Sequence, residues 1–495
     1  MQRKTTVRLM LVLVALAQLA YAQEVTFHPD STQPLAQRWE WAKTQGRQTQ
    51  FKKGYWIGYS IKRLMGENST IGSMHIRNGR VMRGPGKSLS ELIYSVEMPL
   101  DFSDAEKEKS ERKVVKDVGL FFLFNPREGT LAEIKESTFE LSVEFDGFPL
   151  LWIGPAQDEP SLALIERLYR ETASSKVKEN VISAAGLHGT STRRRTFLAN
   201  ILAGNDATDV RKQAAFWLGQ NDDPAALPIL KNAAQNDRTL EVRKQAVFAM
   251  SQMHLPAAEE ALYALAQNER DREVCKEAIF WLAQSGSSRA PALLKDILAK
   301  NTDTEIQKHA VFAVTQLHDK QGTPILIELV EKHQNLAVRK EAIFWLGQSQ
   351  DTRALEILKR IASNEGEIEL RKQAVFALSQ MHAEEAEEVL IELAQKPGDR
   401  ELNKEALFWL AQRASDRAIT LLKDTVDKNP DTELQKQAVF ALTQLHDNEG
   451  VPVLIDIAEK HNNPTVRKEA IFWLGQSDDS RASAALVRIV RGQKQ

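Results

Sequence analysis

Phenylalanine recurs at Phe216, Phe248, Phe280, Phe312, Phe344, Phe376, Phe408, Phe440 and Phe472, every 32 residues without a slip. Each lies in a helical segment such as VRKEAIFWLGQ (338–348), and an amphipathic stretch such as Pro324 to Lys332 precedes each. Gly, Asp, Asn and Pro separate the segments. Two short antiparallel helices cannot bury their apolar faces alone, so units of this kind must stack into a solenoid.

Longer periods sit on the short one. Trp217, Trp281, Trp345, Trp409 and Trp473 recur every 64 residues, and Ala249, Ala313, Ala377 and Ala441 hold the same place in alternate repeats. His254, His318, His382 and His446 also recur every 64. Gly322, Pro324 and His333 return 128 residues later as Gly450, Pro452 and His461. The array reads as the product of doubling units of two and then of four.

The second helices carry the pattern Asp209-Val210-Arg211-Lys212-Gln213-Ala214-Ala215-Phe216-Trp217-Leu218-Gly219. This resembles the signature of the HEAT-repeat family in its short, phycobilisome-lyase-like form, except that Trp217 stands where the family usually has alanine. The resemblance covers about residues 161–491. A degenerate tenth repeat, Val177 to Gly186, precedes the nine with phenylalanine, and Ser480 to Arg491 reads as a final capping helix. The resemblance implies a mainly α protein, a right-handed α-solenoid of about ten two-helix repeats. It says little about activity, because one fold hosts many functions.

First helices differ widely between repeats, whereas second helices repeat almost letter for letter. With Lys212 at 0° and 100° per residue, Ala214, Leu218 and Ala215 fall near 200–300°, and Phe216 and Gln220 fall near 40–80°. The first set faces the core. The second set, with Lys212, is expected to line the concave surface as ladders of Lys, Phe and Gln. The candidate rungs at the centre are Lys308, Phe312 and Gln316, Lys340, Phe344 and Gln348, and Lys372, Phe376 and Gln380. Structural roles compete for the same residues. Phe can pack sideways between neighbouring second helices, Trp against Ala can be large-to-small compensation, and Lys can pair with an acid three residues earlier. The histidines of the 64-residue period sit just past the second helix, where they are expected to meet terminal carbonyls. Cys275 occupies the signature's Arg position and reads as structural.

Residues 1–22 have a positive start (Arg3, Lys4, Arg8), an apolar stretch from Leu9 to Ala17, and the small-x-small end Ala20-Tyr21-Ala22. This is the pattern of a signal peptide cleaved after Ala22, implying a periplasmic or secreted protein. Residues 23–157 read as a β-rich domain with no recognised family, a small antiparallel sandwich or barrel. Its expected strands are Tyr55 to Ile61, a hairpin turning at Asn78-Gly79, Val114 to Phe124, and Thr138 to Phe145. Arg83 to Ser88 ends like a phosphate-binding loop, but Val81 replaces the glycine the motif needs, so it reads as a polar turn. The solenoid takes residues 158–495.

Lys plus Arg number 65 against 67 for Asp plus Glu, a net charge of -2, which argues against bulk nucleic-acid binding. One cysteine excludes an internal disulfide framework. No later apolar run is long enough for a transmembrane helix. Neither an H-E-x-x-H nor a G-x-S-x-G motif occurs. The reading is an exported, non-enzymatic scaffold, without cofactor or metal, that binds a protein or peptide on the concave face. The alternatives are a mechanical spacer or assembly subunit of the envelope, a bilin-lyase-like enzyme as the resemblance allows, and a glycan binder.

Overall fold

The computed structural model describes residues 24–48, 53–72, 75–77, 80–82, 87–95, 112–268, 270–364 and 366–492. The expected signal peptide and the Asn78-Gly79 turn lie outside them, as do residues 83–86 of the polar turn. The chain divides into two compact units between Ala261 and Leu262, inside the helix Pro256–Asn268. No helix among the described residues is long and apolar enough to cross a membrane.

The first unit opens with a five-stranded sheet. Its strands are β1 (Val25–Phe27), β2 (Tyr55–Gly66), β5 (Lys113–Phe124), β6 (Leu131–Thr138) and β7 (Leu150–Pro155), in the order β1-β7-β2-β5-β6. A separate two-stranded ribbon, β3 (His75–Arg77) with β4 (Arg80–Met82), pairs antiparallel as the hairpin reading expects. Two helices accompany the strands, α1 (Leu35–Gly46) and α2 (Leu89–Tyr94).

The sheet corrects the expectation of an antiparallel sandwich or barrel. β7 runs parallel to both β1 and β2, and only β2, β5 and β6 pair antiparallel. Leu150, Leu151 and Ile153 of β7 are fully buried, which is how a strand covered on both faces reads: a short apolar run without alternation. Residues 139–145 are not a strand. Phe139, Leu141 and Phe145 alternate like one, but their backbone turns to cap α2, with Ser90 N–H bonded to Phe139 O and Leu89 N–H to Leu141 O. The rings of Phe139 and Phe145 plug one face of the sheet with Trp56, Phe121 and Trp152. The other face is closed by α1, whose Trp39 meets Phe122 edge-on at 5.3 Å. Arg38 of α1 fixes the exit of β7 by donating to the carbonyls of Ile153 and Pro155.

Ten helix pairs follow, from Asp158–Glu171 with Ser175–Gly186 to Val451–Lys460 with Pro464–Gly475, and the helix Ser480–Val490 comes last. Local chemistry sets both ends of these helices. Asp271, Asp303, Asn335, Asp431 and Asn463 hold extended backbone at N-caps and accept from the N–H two residues on, the favoured capping geometry. At the other end, the fourth residue of most second helices of the second unit reaches back to the last carbonyls of the first. Gln307 donates to Leu298 O at 3.2 Å, Arg339 to Val330 O at 2.7 Å, Arg371 to Ala362 O at 3.0 Å and Gln435 to Val426 O at 2.8 Å. Cys275 does the same with its thiol, 3.0 Å from Ala266 O. The residue type varies at this place, but in each of these five helices a donor is kept, since carbonyls at a buried helix end need one.

Within the first unit, the sheet packs against the first repeat through polar contacts. Ser161 Oγ lies 2.8 Å from both Tyr59 OH and His188 Nε2, all three residues being buried. Arg63 of β2 pairs with Asp158 at 2.8 Å, and Ser183 donates to Glu136 of β6 at 3.2 Å.

A candidate partner-binding wall on the second helices

Within each unit, second helices of successive repeats pack along one another, while first helices touch sparingly. Each second helix buries the side expected of it: in Leu336–Gln348, Val338, Ala342, Ile343 and Leu346 are fully buried. Lys340 and Phe344 remain half-buried and Gln348 is exposed, so the three project from the side opposite the core.

The rungs are engaged with one another in the second unit. Phe280 stacks on Phe312 at 6.4 Å and 10°, Phe344 on Phe376 at 6.1 Å and 12°, and Phe408 on Phe440 at 6.2 Å and 9°. Between these pairs a tryptophan intervenes. Phe312 meets Trp345 at 5.2 Å, Phe376 meets Trp409 at 4.7 Å and Phe440 meets Trp473 at 5.1 Å. The result is a continuous aromatic row with two alternating kinds of joint. Of the two readings the sequence left for phenylalanine, sideways packing is the one the rings adopt, with each ring still half open.

Tryptophan has a partner that the sequence analysis missed. Glu277, Glu341, Glu405 and Glu469 accept the indole N–H of Trp281, Trp345, Trp409 and Trp473 at 2.7, 2.9, 2.8 and 2.9 Å. The signal was present: glutamate stands four residues before each of these tryptophans, one helical turn away. Trp217 has Gln213 there, and its buried indole nitrogen makes no hydrogen bond.

The alternation also sets how closely helices approach. A Cβ on Gly347 would come 2.6 Å from the carbonyl oxygen of Ala377 and 2.9 Å from its Cα. Gly219 faces Ala249 in the same way in the first unit. At these two joints a Trp-type helix closes tightly on the small Ala-type helix ahead, while Ala283 and Ala411 stand at the glycine's place in the helices of Trp281 and Trp409.

The lysines are paired. Lys308 bonds Glu305 three residues earlier at 3.2 Å, as expected for helix neighbours. Lys340 cannot, because Ala337 stands there, and it crosses to Glu369 of the next repeat at 3.1 Å. Lys372 then crosses to Glu401 at 3.5 Å. Glu401 also holds Lys404, and these bonds, Lys404 first, keep its carboxyl below the usual range. Gln316 donates to Thr315 Oγ1 at 2.9 Å and accepts from Gln284 at 3.3 Å, and Gln380 donates to Ser379 at 3.1 Å. The wall thus offers half-exposed aromatic edges, amides and a lattice of balanced charge.

The four histidines of the 64-residue period do not take the expected role. Among the described residues no hydrogen bond joins their side chains to a helix-end carbonyl. Instead the backbone N–H groups of His254 and His382 dock on Asp222 Oδ1 (2.7 Å) and Gln350 Oε1 (3.3 Å) of the preceding repeat. His333 and His461 do the capping: Nε2 reaches Leu298 O at 3.4 Å and Val426 O at 3.0 Å, while Nδ1 accepts from Asn335 and Asn463 N–H at 3.1 Å. They begin the loop one residue past a first helix, close to the carbonyl end of its neighbour, a placement that only the stacking reveals.

Residues 195–283, 291–378, 361–442 and 425–494 match the family model of HEAT repeats. No curated protein matches the chain. Similar solved structures include human deoxyhypusine hydroxylase in complex with glycerol, 17% identical over 53% of this chain and 96% of that one, with a TM-score of 0.22. The CpcE–CpcF complex of phycocyanin lyase from Nostoc sp. PCC7120 is 19% identical over 51% of this chain and 96% of that one, with a TM-score of 0.24. Kap121p bound to Pho4p is 12% identical over 66% of this chain and 43% of that one, with a TM-score of 0.36.

Proposed function

Because this chain belongs to the HEAT-repeat family, we propose that its solenoid is a binding scaffold whose row of second helices receives a protein or peptide along its inner, concave side. The observation that carries this reading is the row of half-exposed rings and amides at Phe312, Gln316, Phe344, Gln348, Phe376 and Gln380, repeated in register while the first helices diverge. Aromatic edges flanked by adaptable polar groups are what protein interfaces use as anchors. Lys308, Lys340 and Lys372, paired in the free protein, supply charge at the edge of the same strip. In this reading the protein is not an enzyme, and it works outside the cytoplasm, as the signal-like residues 1–22 suggest.

The test is a paired measurement on one variant carrying Lys308→Glu, Lys340→Glu and Lys372→Glu. Exposed pairs of this kind contribute a few tenths of a kcal/mol each, so the melting point should barely move. Capture of a partner from the native compartment should fall by orders of magnitude relative to wild type. Undiminished capture by the folded variant would favour the second reading, a mechanical spacer, which the ring-on-ring stacking of the row also supports.

A further inference from the structure

The amide rungs of the wall are of two kinds. In the Ala-type helices the glutamine follows a hydroxyl residue: Ser251-Gln252, Thr315-Gln316, Ser379-Gln380 and Thr443-Gln444. In the Trp-type helices it follows glycine or alanine, as in Gly347-Gln348 and Ala411-Gln412. The four hydroxyls make the same bonds. Each donates to the phenylalanine carbonyl three residues earlier, at 2.7, 2.6, 2.6 and 2.6 Å in chain order. Each also accepts from the amide nitrogen of the glutamine that follows, at 3.2, 2.9, 3.1 and 2.9 Å.

This relay fixes the polarity of the amide. A hydroxyl carries one proton, and the phenylalanine carbonyl, which can only accept, takes it. The hydroxyl oxygen is left as an acceptor, so only the NH2 end of the glutamine can face it. The carbonyl end, Oε1, is then the one left for a partner. Among the described residues nothing donates to Oε1 of Gln380 or Gln444, and both side chains are half-buried in the wall. Gln316 Oε1 accepts from Gln284 at 3.3 Å, an amide that no hydroxyl precedes. An N–H group of the chain itself therefore already sits on one of these acceptors.

We propose that Thr315, Ser379 and Thr443 are positioning residues for an extended peptide, whose main-chain N–H groups bond the carbonyls of the glutamines they hold. This rests on the wall being the binding surface and names what that surface reads. Fixed polarity favours groups of fixed polarity. A sugar hydroxyl turns to donate or to accept, so a free amide would serve it as well as a held one. A peptide N–H only donates, and gains from an acceptor already set in place. A lysine or arginine head also donates, but every second helix of the wall already carries a lysine, which opposes a further cation. The acceptors recur whatever the first helices carry, which suits the donor that every residue but proline repeats whatever its side chain. Successive Ala-type rungs are two repeats apart, roughly 16–20 Å at the usual helix spacing, a span of about five or six extended residues.

Peptide binding to the full chain tests this. The probes are a library of unstructured peptides of about twelve residues, long enough to reach two rungs, and chitohexaose as the sugar. Each retained peptide is compared with its backbone N-methylated form by fluorescence anisotropy. The wild type should prefer the unmethylated form. The variant Thr315→Val, Ser379→Ala, Thr443→Val should bind that form about tenfold more weakly and discriminate less between the two. The swap Thr315→Ser, Ser379→Thr, Thr443→Ser keeps every hydroxyl and should behave as the wild type. Ser379→Ala alone repeats the test with the least change in packing. Wild-type discrimination in the hydroxyl-free variants would make the relay purely structural and overturn the proposal, with the scaffold reading intact. Chitohexaose bound where no peptide binds would overturn it in favour of a sugar-binding wall. A wild type that binds neither probe would bring down the scaffold reading and this inference with it.

Discussion

Trp345 leans back 5.2 Å onto Phe312 of the preceding repeat, tilted by 46°, and this contact divides the array into units of 64 residues and not 32. The joint behind Trp345 is an indole on a ring. The joint ahead of it is a flat Phe344–Phe376 stack with Gly347 closing on Ala377. The two joints are not interchangeable, and the next expectation follows from that.

Deleting residues 273–336 removes one whole pair and should leave a folded, shorter solenoid, since each repeat touches only its neighbours. Deleting 305–336 brings the Phe280–Trp281 helix against the Phe344–Trp345 helix, two large faces in a gap shaped for one. That variant should melt markedly lower. Thermal melts followed by circular dichroism compare them, and equal tolerance would show that the alternation has no packing meaning.

Gly347→Val should destabilise the second unit by about 1–3 kcal/mol, because its Cβ and methyls must displace the Ala377 backbone, not a movable side chain. Chemical denaturation read at the unfolding midpoint checks the size. An effect below a few tenths of a kcal/mol would mean that the joint opens freely.

Gln307 satisfies two first-helix carbonyls at once, Leu298 O at 3.2 Å and Asn301 O at 2.7 Å. Gln307→Ala should cost about 1–2 kcal/mol by leaving both without that donor. Gln307→Arg should recover only part of that loss: it restores the donor, as Arg339 and Arg371 supply it at the equivalent ends, but it cannot accept from Asn335 Nδ2, which Gln307 Oε1 does at 3.1 Å. Melting of the two variants side by side distinguishes a requirement for a donor from a requirement for glutamine.

The joint between sheet and first repeat should carry two opposed pH dependences. Burial raises the Glu136 carboxyl from 4.5 to about 7, with one oxygen left without a hydrogen bond. A raised acid keeps its proton when folded, so its stabilisation is complete below pH 4.5 and is lost as pH rises to about 7. Burial, then the nearby Arg63, lowers His188 from 6.5 to about 4, so its stability is lost as pH falls through that interval. The two slopes oppose each other between pH 4.5 and 6.5. Glu136→Gln should expose the histidine slope alone, with stability rising across that window. At pH 8 it should exceed the wild type by about 1–3 kcal/mol. Melting curves taken from pH 4 to 8 read both effects, and parallel curves would refute the assignment.

Repeat length, helix pairing, the apolar side of each second helix and the Lys-Phe-Gln face were all legible in the sequence, because a 3.6-residue period and a 32-residue period are local regularities. The sheet was legible only in part. β2 and β5 announce themselves by composition, but a parallel strand such as β7 is a short apolar run whose neighbours lie about a hundred residues away. Phe139 to Phe145 imitates a strand because plugging a sheet face and forming one place the same demand on side-chain alternation.

What the stack alone decided is which residues meet across repeats. Lys340 reaches Glu369 and not a residue of its own helix, His333 and not His318 caps a carbonyl, and Phe312 faces Trp345. Sequence by itself determined the face on which each of these residues sits, since helical periodicity requires nothing beyond neighbours in the chain. Tertiary structure decided their partners, since the distance and rotation between adjacent repeats depend on how large and small side chains fit together, and that is settled only when the helices are packed.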